Sequence, residues 1–198
     1  MPLPRTISRE DVISLPIRRC ELEVVLIESP QQLDHAMVEL RKESVVGLDT
    51  ETRPAFRKGE VHLPALVQVG ASRAAYLFPL QRMDFSAALA ELMAAPGIVK
   101  AGVSLAHDLK QLKLLFPFEQ ASVVDLGVVA RRAGIEQTGV RNLAAMFLGY
   151  RIPKGNKTSN WAAKRLTAAQ ITYAATDAWV CRELFLRFRS LDLLPHGT

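Results

Sequence analysis

The sequence predicts an α/β fold in which a central mixed β-sheet is flanked by helices. Short apolar segments of strand character come first along the chain and helical segments dominate later, as in an α/β sandwich. The segment SVVGLDTE carries apolar residues on both faces, which is typical of a central strand covered on each side. The segments ALVQVGA and AAYLFPL follow and are joined around Ser72 and Arg73, which predicts a β-hairpin.

The other elements of the first half follow from local signals. ELEVVLIES has the composition of a strand, and Pro30 opens the helix that follows it. Beyond the hairpin, a helix over FSAALAELMAA ends at the Pro96-Gly97 pair, and GIVKAG forms a short strand.

The second half is predicted to be mainly helical. SLAHDLKQLKLLF is a helix with Ser104 as its N-cap. The extended segment SVVDL leads into two helices, the second of which ends at Gly149. Thr167 and Gln170 form a capping box that starts the long last helix.

Composition places the chain among globular proteins. The 198 residues fit a single domain over residues 1–198, in which residues 1–20 form a mixed, charged N-terminal arm whose role stays open. The 2 cysteines lack metal-ligand spacing, and no apolar run suits a signal peptide or a membrane span. We therefore expect a soluble, cytoplasmic protein without a zinc site, and a monomer. The net charge of +5 modestly favours a polyanionic partner.

Two carboxylates stand at the end of the predicted central strand. Asp49 and Glu51 are two positions apart, so they share one face of the strand with roughly 6.6 Å of rise between them. That spacing lets two carboxylates approach shared cations. The pattern is weak by itself, because two acids can also occupy the exposed end of a strand.

A third carboxylate, Asp108, lies in the first turn of a predicted helix. It shares an apolar stripe with Leu105, Leu112 and Leu115, which predicts that it faces the core. A buried carboxylate needs a cation or several hydrogen-bond donors, whereas an exposed one in the first turn only stabilises the helix dipole. Asp108 alone leaves both interpretations open. The adjacent His107 points about 100° away and is expected to be structural or exposed.

The last helix carries the most specific pattern. Tyr173 and Asp177 lie four residues apart, or one turn, on the flank of an apolar face. Small alanines around the pair allow this helix to approach the sheet closely. A surface tyrosine over an exposed aspartate is the alternative. The apolar face is predicted to consist of Ile171, Ala174, Ala175, Ala178, Cys181, Phe185 and Phe188.

Together, these acids and the tyrosine resemble the DEDD 3′→5′ exonucleases, which include ribonuclease D, family A polymerase proofreading domains and Werner-type exonucleases. Tyr173 indicates the tyrosine subtype, because the other subtype has a histidine where this chain has Thr172. The likeness covers about residues 23–191. It is strongest to the Werner-type branch in KAGVSLAHDLKQL, NLAAMFLGYRIPK and SNWAAKRLTAAQITYAATDA. Lys110 departs from the tryptophan that Werner-type enzymes commonly carry there.

The resemblance implies a ribonuclease H-like fold, a catalytic core over residues 23–191 and two divalent cations, Mg²⁺ or Mn²⁺. It assigns the metals to Asp49, Glu51, Asp108 and Asp177 and gives Tyr173 the role of orienting the nucleophilic water. Carboxylates without a nearby cysteine suit such hard cations. The implied activity is hydrolysis of terminal phosphodiesters at the 3′ end of DNA or RNA, with release of nucleoside 5′-monophosphates.

Candidate substrate contacts lie beside the first motif and in a basic loop, RIPKGNKTSNW. Thr50 stands between the two strand carboxylates. In the loop, Arg151, Lys154 and Lys157 are candidates for phosphate binding, and Trp161 for stacking on a base. Anchoring of the loop in the core is the slightly favoured alternative for Trp161.

Two functional alternatives remain. Within the enzymes, RNA processing or degradation of short oligoribonucleotides rivals DNA trimming. Outside them, the alternative is a nucleic-acid-binding module that kept the fold and lost the chemistry. Such a module should have lost a metal ligand, and all five motif residues are present.

Overall fold

The computed structural model describes residues 3–57, 59–155 and 159–195, and within these ranges it contains one six-stranded sheet. The strands are β1 (Glu23–Leu26), β2 (Val45–Thr52), β3 (Pro64–Gly70), β4 (Ala74–Pro79), β5 (Val99–Gly102) and β6 (Val123–Asp125). The helices are α1 (Arg9–Ser14), α2 (Pro30–Leu40), α3 (Ser86–Ala94), α4 (Leu105–Leu112), α5 (Leu126–Arg132), α6 (Val140–Leu148) and α7 (Ala168–Ser190). Every strand and helix predicted from the sequence is present, and α1 is an additional element.

The sheet is mixed, as predicted, with the strand order β1-β4-β3-β2-β5-β6. β3 runs antiparallel to both β2 and β4, and the β3–β4 pair is the predicted hairpin. β1 runs parallel to β4, β5 to β2, and β6 to β5. β2 is therefore a central strand, and its first four residues are buried.

Helices cover both faces of this sheet. On one face, α2, α3 and α4 pack through Leu40, Leu92 and Leu109 against alternate residues of β2 and β3. On the other face, α7 lies against the sheet with α5 and α6 around it, and Leu143 and Leu184 belong to this second core. Burial of each such leucine stabilises the fold by about 1.5–3 kcal/mol.

Two glycines bring the backbone of α7 directly onto the sheet. A Cβ atom at Gly47 would lie 1.8 Å from the carbonyl oxygen of Ala178, and one at Gly70 would lie 2.7 Å from the same carbonyl group. Gly47 and Gly70 are partners in the β2–β3 register, so they form a flat patch across two strands. This close approach, which the alanines of α7 predicted, sets how near the side chains of α7 come to β2.

α7 is more completely buried than the predicted apolar face suggested. Trp179, Val180 and Leu184 are buried in addition to most of the predicted face, and Ile171 is only half-buried. The reason is that α5, α6 and the N-terminal arm contact the sides of α7 that do not face the sheet. The Thr167–Gln170 capping box starts the helix as predicted. Of the described helices, none is long and apolar enough to cross a membrane.

The N-cap interaction predicted for Ser104 does not form. Ser104 does precede α4, but its backbone is left-handed, with φ 64°, and its side chain makes no capping hydrogen bond. A left-handed residue costs a non-glycine side chain some strain. The tight β5–α4 turn imposes this conformation and brings Asp108 in the first turn of α4 close to the end of β2.

The N-terminal arm lies along the α6–α7 side of the domain. The Arg18 amide donates to the Arg151 carbonyl at 2.9 Å, and the Arg151 guanidinium donates through Nε to the Leu15 carbonyl at 3.0 Å. The Cys20 amide donates to Thr176 Oγ1 on α7 at 3.0 Å. The arm therefore holds the segment that follows α6 and is built into the fold.

Candidate active site

Three of the predicted carboxylates converge at the C-terminal end of β2. Asp49 and Glu51 project from one face of the strand, and Asp177 reaches them from α7. Each offers one oxygen, and these three atoms all lie within 4.8 Å of one another. The alternation of the strand and the close packing of α7 together produce this cluster.

Asp177 is the most deeply placed of the three. Its side chain belongs to a residue that is only 4% exposed, and among the described residues its Oδ1 has no hydrogen-bond partner. Burial raises the pKa of Asp177 to about 6, while the nearby Tyr173 hydroxyl and the charge of Arg141 act in the opposite direction. An unpartnered, buried carboxylate oxygen costs free energy that the fold does not recover by itself.

Asp108 is held beside the cluster in a different way. It comes from α4 on the opposite face of the sheet, and its Oδ1 accepts a hydrogen bond of 2.8 Å from Thr50 Oγ1. Its oxygens are not among those that meet within 4.8 Å. Leu105 and Leu112 of the predicted stripe are buried, whereas Leu115 follows the helix and is exposed. Asp108 therefore faces inward at the edge of the core, close to β2.

Burial and mutual repulsion disfavour the charged forms of the strand acids. The pKa of Asp49 is raised well above its usual value, first by burial and then by the negative charges of Asp177, Asp108 and Glu51. The pKa of Glu51 is raised to about 8 by burial and by the charges of Asp177 and Asp108. The cluster is thus under electrostatic strain whenever its carboxyl groups are ionised.

Tyr173 points its phenol at the acids. Burial raises its pKa above the ordinary value, and the charge of Asp177 adds to the effect, so the hydroxyl stays protonated at neutral pH. The backbone of Gly155 packs directly against this ring. A Cβ atom at position 155 would lie 2.5 Å from Cζ and 2.7 Å from the hydroxyl oxygen of Tyr173. A larger residue at 155 would push the phenol away from Asp177.

The residues of the cluster fit a divalent metal ion. The donors that meet are all carboxylate oxygens, and no cysteine or histidine of the described chain joins them. Such an oxygen-only set is suited to hard cations. A cation would also offset the repulsion that raises the pKa values of Asp49 and Glu51, and it would give Asp177 Oδ1 a partner.

The predicted substrate contacts differ in their exposure and in the partners they already have. Trp161 is 6% exposed and packs with its ring centroid 6.1 Å from that of Tyr173, as the loop-anchor alternative requires. Arg151 is committed to the N-terminal arm, and the hydroxyl of Thr50 is committed to Asp108. Lys154 is exposed, while Lys157 lies outside the described residues.

A cavity of about 740 Å³ borders Tyr173. Lys154, Arg165 and Arg19 of the N-terminal arm line it, together with Trp161. Among the described residues that line this cavity, none is acidic. The cavity therefore offers positive charge next to the tyrosine of the acidic cluster.

Three residues that bear on the site were not identified from the sequence. Gln68 pairs with Asp49 across β2 and β3 and is fully buried, which only the strand register reveals. Arg141 at the start of α6 lowers the pKa of Asp177, and Gly155 supports the Tyr173 ring. A polar residue inside the otherwise apolar ALVQVGA segment was the one signal available for Gln68.

The comparisons with known proteins agree with this geometry. A family model described as 3′-5′ exonuclease matches residues 24–191. Ribonuclease D of Acidiphilium cryptum is 31% identical over 172 residues, which cover 85% of this chain and 43% of the relative. DNA polymerase I of Aquifex aeolicus is 31% identical over 165 residues, covering 83% of this chain and 27% of that protein. The chain thus spans less than half the length of these relatives.

Solved structures share the fold. The Nibbler EXO domain of Aedes aegypti superposes with a TM-score of 0.78 at 21% identity and covers 88% of this chain and 93% of that one. RNase D of Escherichia coli superposes with a TM-score of 0.74 at 20% identity and covers 88% of this chain and 47% of that one. The predicted ribonuclease H-like fold is confirmed by these neighbours. The chain belongs to the 3′-5′ exonuclease family.

Proposed function

We propose that this chain removes nucleotides one at a time from the 3′ end of a nucleic acid strand, releasing nucleoside 5′-monophosphates. The observation that carries the proposal is the convergence of Asp49, Glu51 and Asp177, with Asp108 tethered beside them through Thr50. Acids gathered in this way destabilise the fold when they are ionised, and a bound cation would offset their mutual repulsion. The family supplies the 3′→5′ polarity, which carboxylates alone do not specify.

The proposed metal ligands are Asp49, Glu51, Asp108 and Asp177, and the proposed ions are two Mg²⁺ or Mn²⁺. When bound, such ions would lower the pKa of a water nucleophile and stabilise charge on the attacking and leaving oxygens. The chain itself supplies positioning. β2 fixes two of the acids, α7 fixes the third, and the hydrogen bond from Thr50 orients the fourth.

Tyr173 is proposed to orient the attacking water. Its raised pKa keeps the proton on the phenol oxygen at neutral pH, so the group donates a hydrogen bond and does not act as a general base. The Gly155 backbone and the Trp161 ring pack against the phenol ring and restrict its position. All five side chains come from one chain, so a monomer suffices for the site.

The acid-free cavity beside Tyr173 is proposed to receive phosphates of the substrate strand. Lys154, Arg19 and Arg165 supply the positive charge there. Lys157 is proposed for the same role on sequence grounds alone. Burial of Trp161 favours anchoring of the loop over base stacking, and the Thr50 hydroxyl is proposed to position Asp108 in place of contacting substrate.

RNA is the second candidate substrate. The relatives that carry the name ribonuclease D favour it, whereas the relative named DNA polymerase I favours DNA. A binding module without chemistry is disfavoured, because the described cluster keeps all four acids and the tyrosine close together.

The test uses matched single-stranded DNA and RNA oligonucleotides carrying a 5′ label, incubated with the chain and Mn²⁺ or Mg²⁺. A ladder that shortens from the 3′ end, with mononucleotide release and none in EDTA, is expected. Asp49→Asn should reduce the rate by about 10³-fold or more, because it removes several kcal/mol of metal-dependent stabilisation. The same variant should keep or raise the metal-free melting temperature, since it removes one repelling charge.

Asp34→Asn is the matched control. Asp34 lies exposed on α2, away from the cluster, and its variant should keep the full rate. Full metal-dependent activity in Asp49→Asn would refute the proposed site. A wild-type chain that binds both strands without shortening them would support the binding module instead.

A further inference from the structure

Gln68 is a fully buried polar residue whose side chain has no partner. It is 0% exposed, and both its Nε2 and its Oε1 lack a hydrogen bond to any part of the chain that the structure describes. All seven residues of β3 are buried, and Gln68 is the only polar one among them. A leucine at this position would avoid the cost of two unpaired polar atoms.

The register of the sheet places Gln68 beside the acidic cluster. Its Cα is paired with that of Asp49 in the antiparallel β2–β3 ladder, so the two side chains are neighbours on the same face. Two residues along β3 in one direction, Leu66 packs in a cluster with Ala174 and Trp161. Two residues in the other direction, Gly70 touches the backbone of α7. The Gln68 side chain is therefore enclosed between the sheet and α7, where the acids meet.

The chemistry of an amide suits this position. A lysine or arginine beside Asp49 would form an ion pair and cancel the negative charge that a metal ion requires. An apolar residue would leave the carboxylate with only the hydrogen bond from the Thr50 backbone. A neutral N–H donor orients a carboxylate and leaves its charge available, which is how groups just beyond the ligands tune metal sites.

We propose that Gln68 is a positioning residue whose Nε2 donates a hydrogen bond to the Asp49 carboxylate and fixes its orientation for metal binding. This inference rests on the proposed metal-dependent function. The hydrogen bond forms as the carboxylate takes up its ion, and it accounts for an amide that the metal-free chain leaves without a partner. Gln68 does not touch the substrate.

The test measures Mn²⁺ binding directly, from the electron paramagnetic resonance signal of free Mn²⁺, in wild type and Gln68→Leu. The variant should bind Mn²⁺ about 10-fold more weakly, the lower end of the effect that such partners have. Its metal-free melting temperature should stay at or above that of the wild type, because two unpaired polar atoms are removed. A side chain needed only for packing would give the opposite pair of results.

Leu66→Met is the matched control, on the same strand and face. It disturbs packing without removing a polar group and should leave Mn²⁺ affinity unchanged. Equal Mn²⁺ affinity in wild type and Gln68→Leu, or equal weakening in both variants, would overturn the role of Gln68. A wild-type chain that binds no Mn²⁺ would instead overturn the proposed function itself.

Discussion

The two faces of the sheet at β2 carry different kinds of residue. Toward α2, α3 and α4, the strand presents Val46 and Leu48, which are fully buried among apolar side chains. Toward α7, the same strand presents Gly47 and then Asp49 and Glu51. On the α2–α4 face, β2 buries apolar side chains. On the α7 face, it carries a glycine that admits the helix backbone and two acids that face the helix.

This difference separates the source of stability from the site of chemistry. The α2–α4 face gains free energy from each buried leucine and valine. The α7 face lowers the free energy of unfolding, because its acids have raised pKa values and Asp177 Oδ1 has no hydrogen bond within the described chain. A strained, polar site is tolerated because the apolar cores on the two faces of the sheet hold the fold around it.

The largest expected effect comes from filling the glycine patch. Gly47→Ala would place Cβ 1.8 Å from the Ala178 carbonyl oxygen, so α7 must move away from the sheet. We expect a loss of about 3 kcal/mol in the free energy of unfolding, as for severe overpacking, measured by urea denaturation. Activity at a temperature where the variant is folded should also fall, because Asp177 moves with α7.

Gly97→Ala is the control for this substitution. An added Cβ at position 97 meets nothing within 4 Å, so its stability should stay close to that of the wild type. If Gly47→Ala unfolds with the wild-type midpoint and keeps full activity, close approach of α7 does not assemble the site.

Features that depend on local sequence were predictable. The alternation within SVVGLDTE placed Asp49 and Glu51 on one face, and the capping box located the start of α7. The Tyr173–Asp177 spacing of one turn put both side chains on the same flank. Each of these follows from residues fewer than five positions apart, where strand and helix geometry alone fix the outcome.

Features that depend on register were not predictable. Thr50 and Asp108 are separated by 58 residues, and their hydrogen bond requires both the β5–α4 turn and the exact edge at which α4 meets β2. Gln68 faces Asp49 only because of the β2–β3 pairing, which includes an irregularity between Glu51 and Thr52. No local pattern carries that information.

The N-terminal arm shows a different limit. Ser8 caps α1 by accepting from the Asp11 amide at 3.0 Å, so a local signal was present in the sequence. With only six residues and no buried side chain, however, α1 lacks the apolar face that identifies a helix. The contacts of the arm with Arg151 and Thr176 are long-range and equally unpredictable.

An intermediate effect is expected where the two faces meet. Thr50→Val keeps the shape of the side chain but removes the hydroxyl that donates to Asp108, so the carboxylate loses both its orientation and the contact that lowers its pKa. We expect about a 10-fold higher Mn²⁺ concentration for half-maximal activity, in line with other residues that orient metal ligands.

Thr50→Ser is the matched control, because it retains the hydroxyl and should behave like the wild type. Equal metal requirement in the valine variant would show that Asp108 is positioned without Thr50. The α2–α4 face would then contribute only packing to the site, and the contrast between the two faces would be complete.

The smallest expected effect concerns pH and separates the faces electrostatically. In the metal-free chain, the pKa of Glu51 is raised to about 8 and that of Asp177 to about 6, both chiefly by burial. Unfolding returns these groups to ordinary carboxyl values near 4, so between those limits the folded state binds more protons than the unfolded state. Stability therefore falls as pH rises from about 5 toward 8.

Melting curves in EDTA should show this decline as a drop of about 5 °C between pH 5.5 and 7.5, since one kcal/mol corresponds to a few degrees in a domain of this size. The range stops at 7.5 because Lys100, whose pKa burial lowers to about 8, contributes with the opposite sign above that value. Glu51→Gln combined with Asp177→Asn should make the decline shallower, with Asp49 still contributing to it, and excess Mg²⁺ should flatten the profile in the wild type by binding the ionised acids. A wild-type profile that matches the double variant in EDTA would mean that ionising Glu51 and Asp177 does not destabilise the folded chain, and that the acids of the α7 face do not lower the free energy of unfolding.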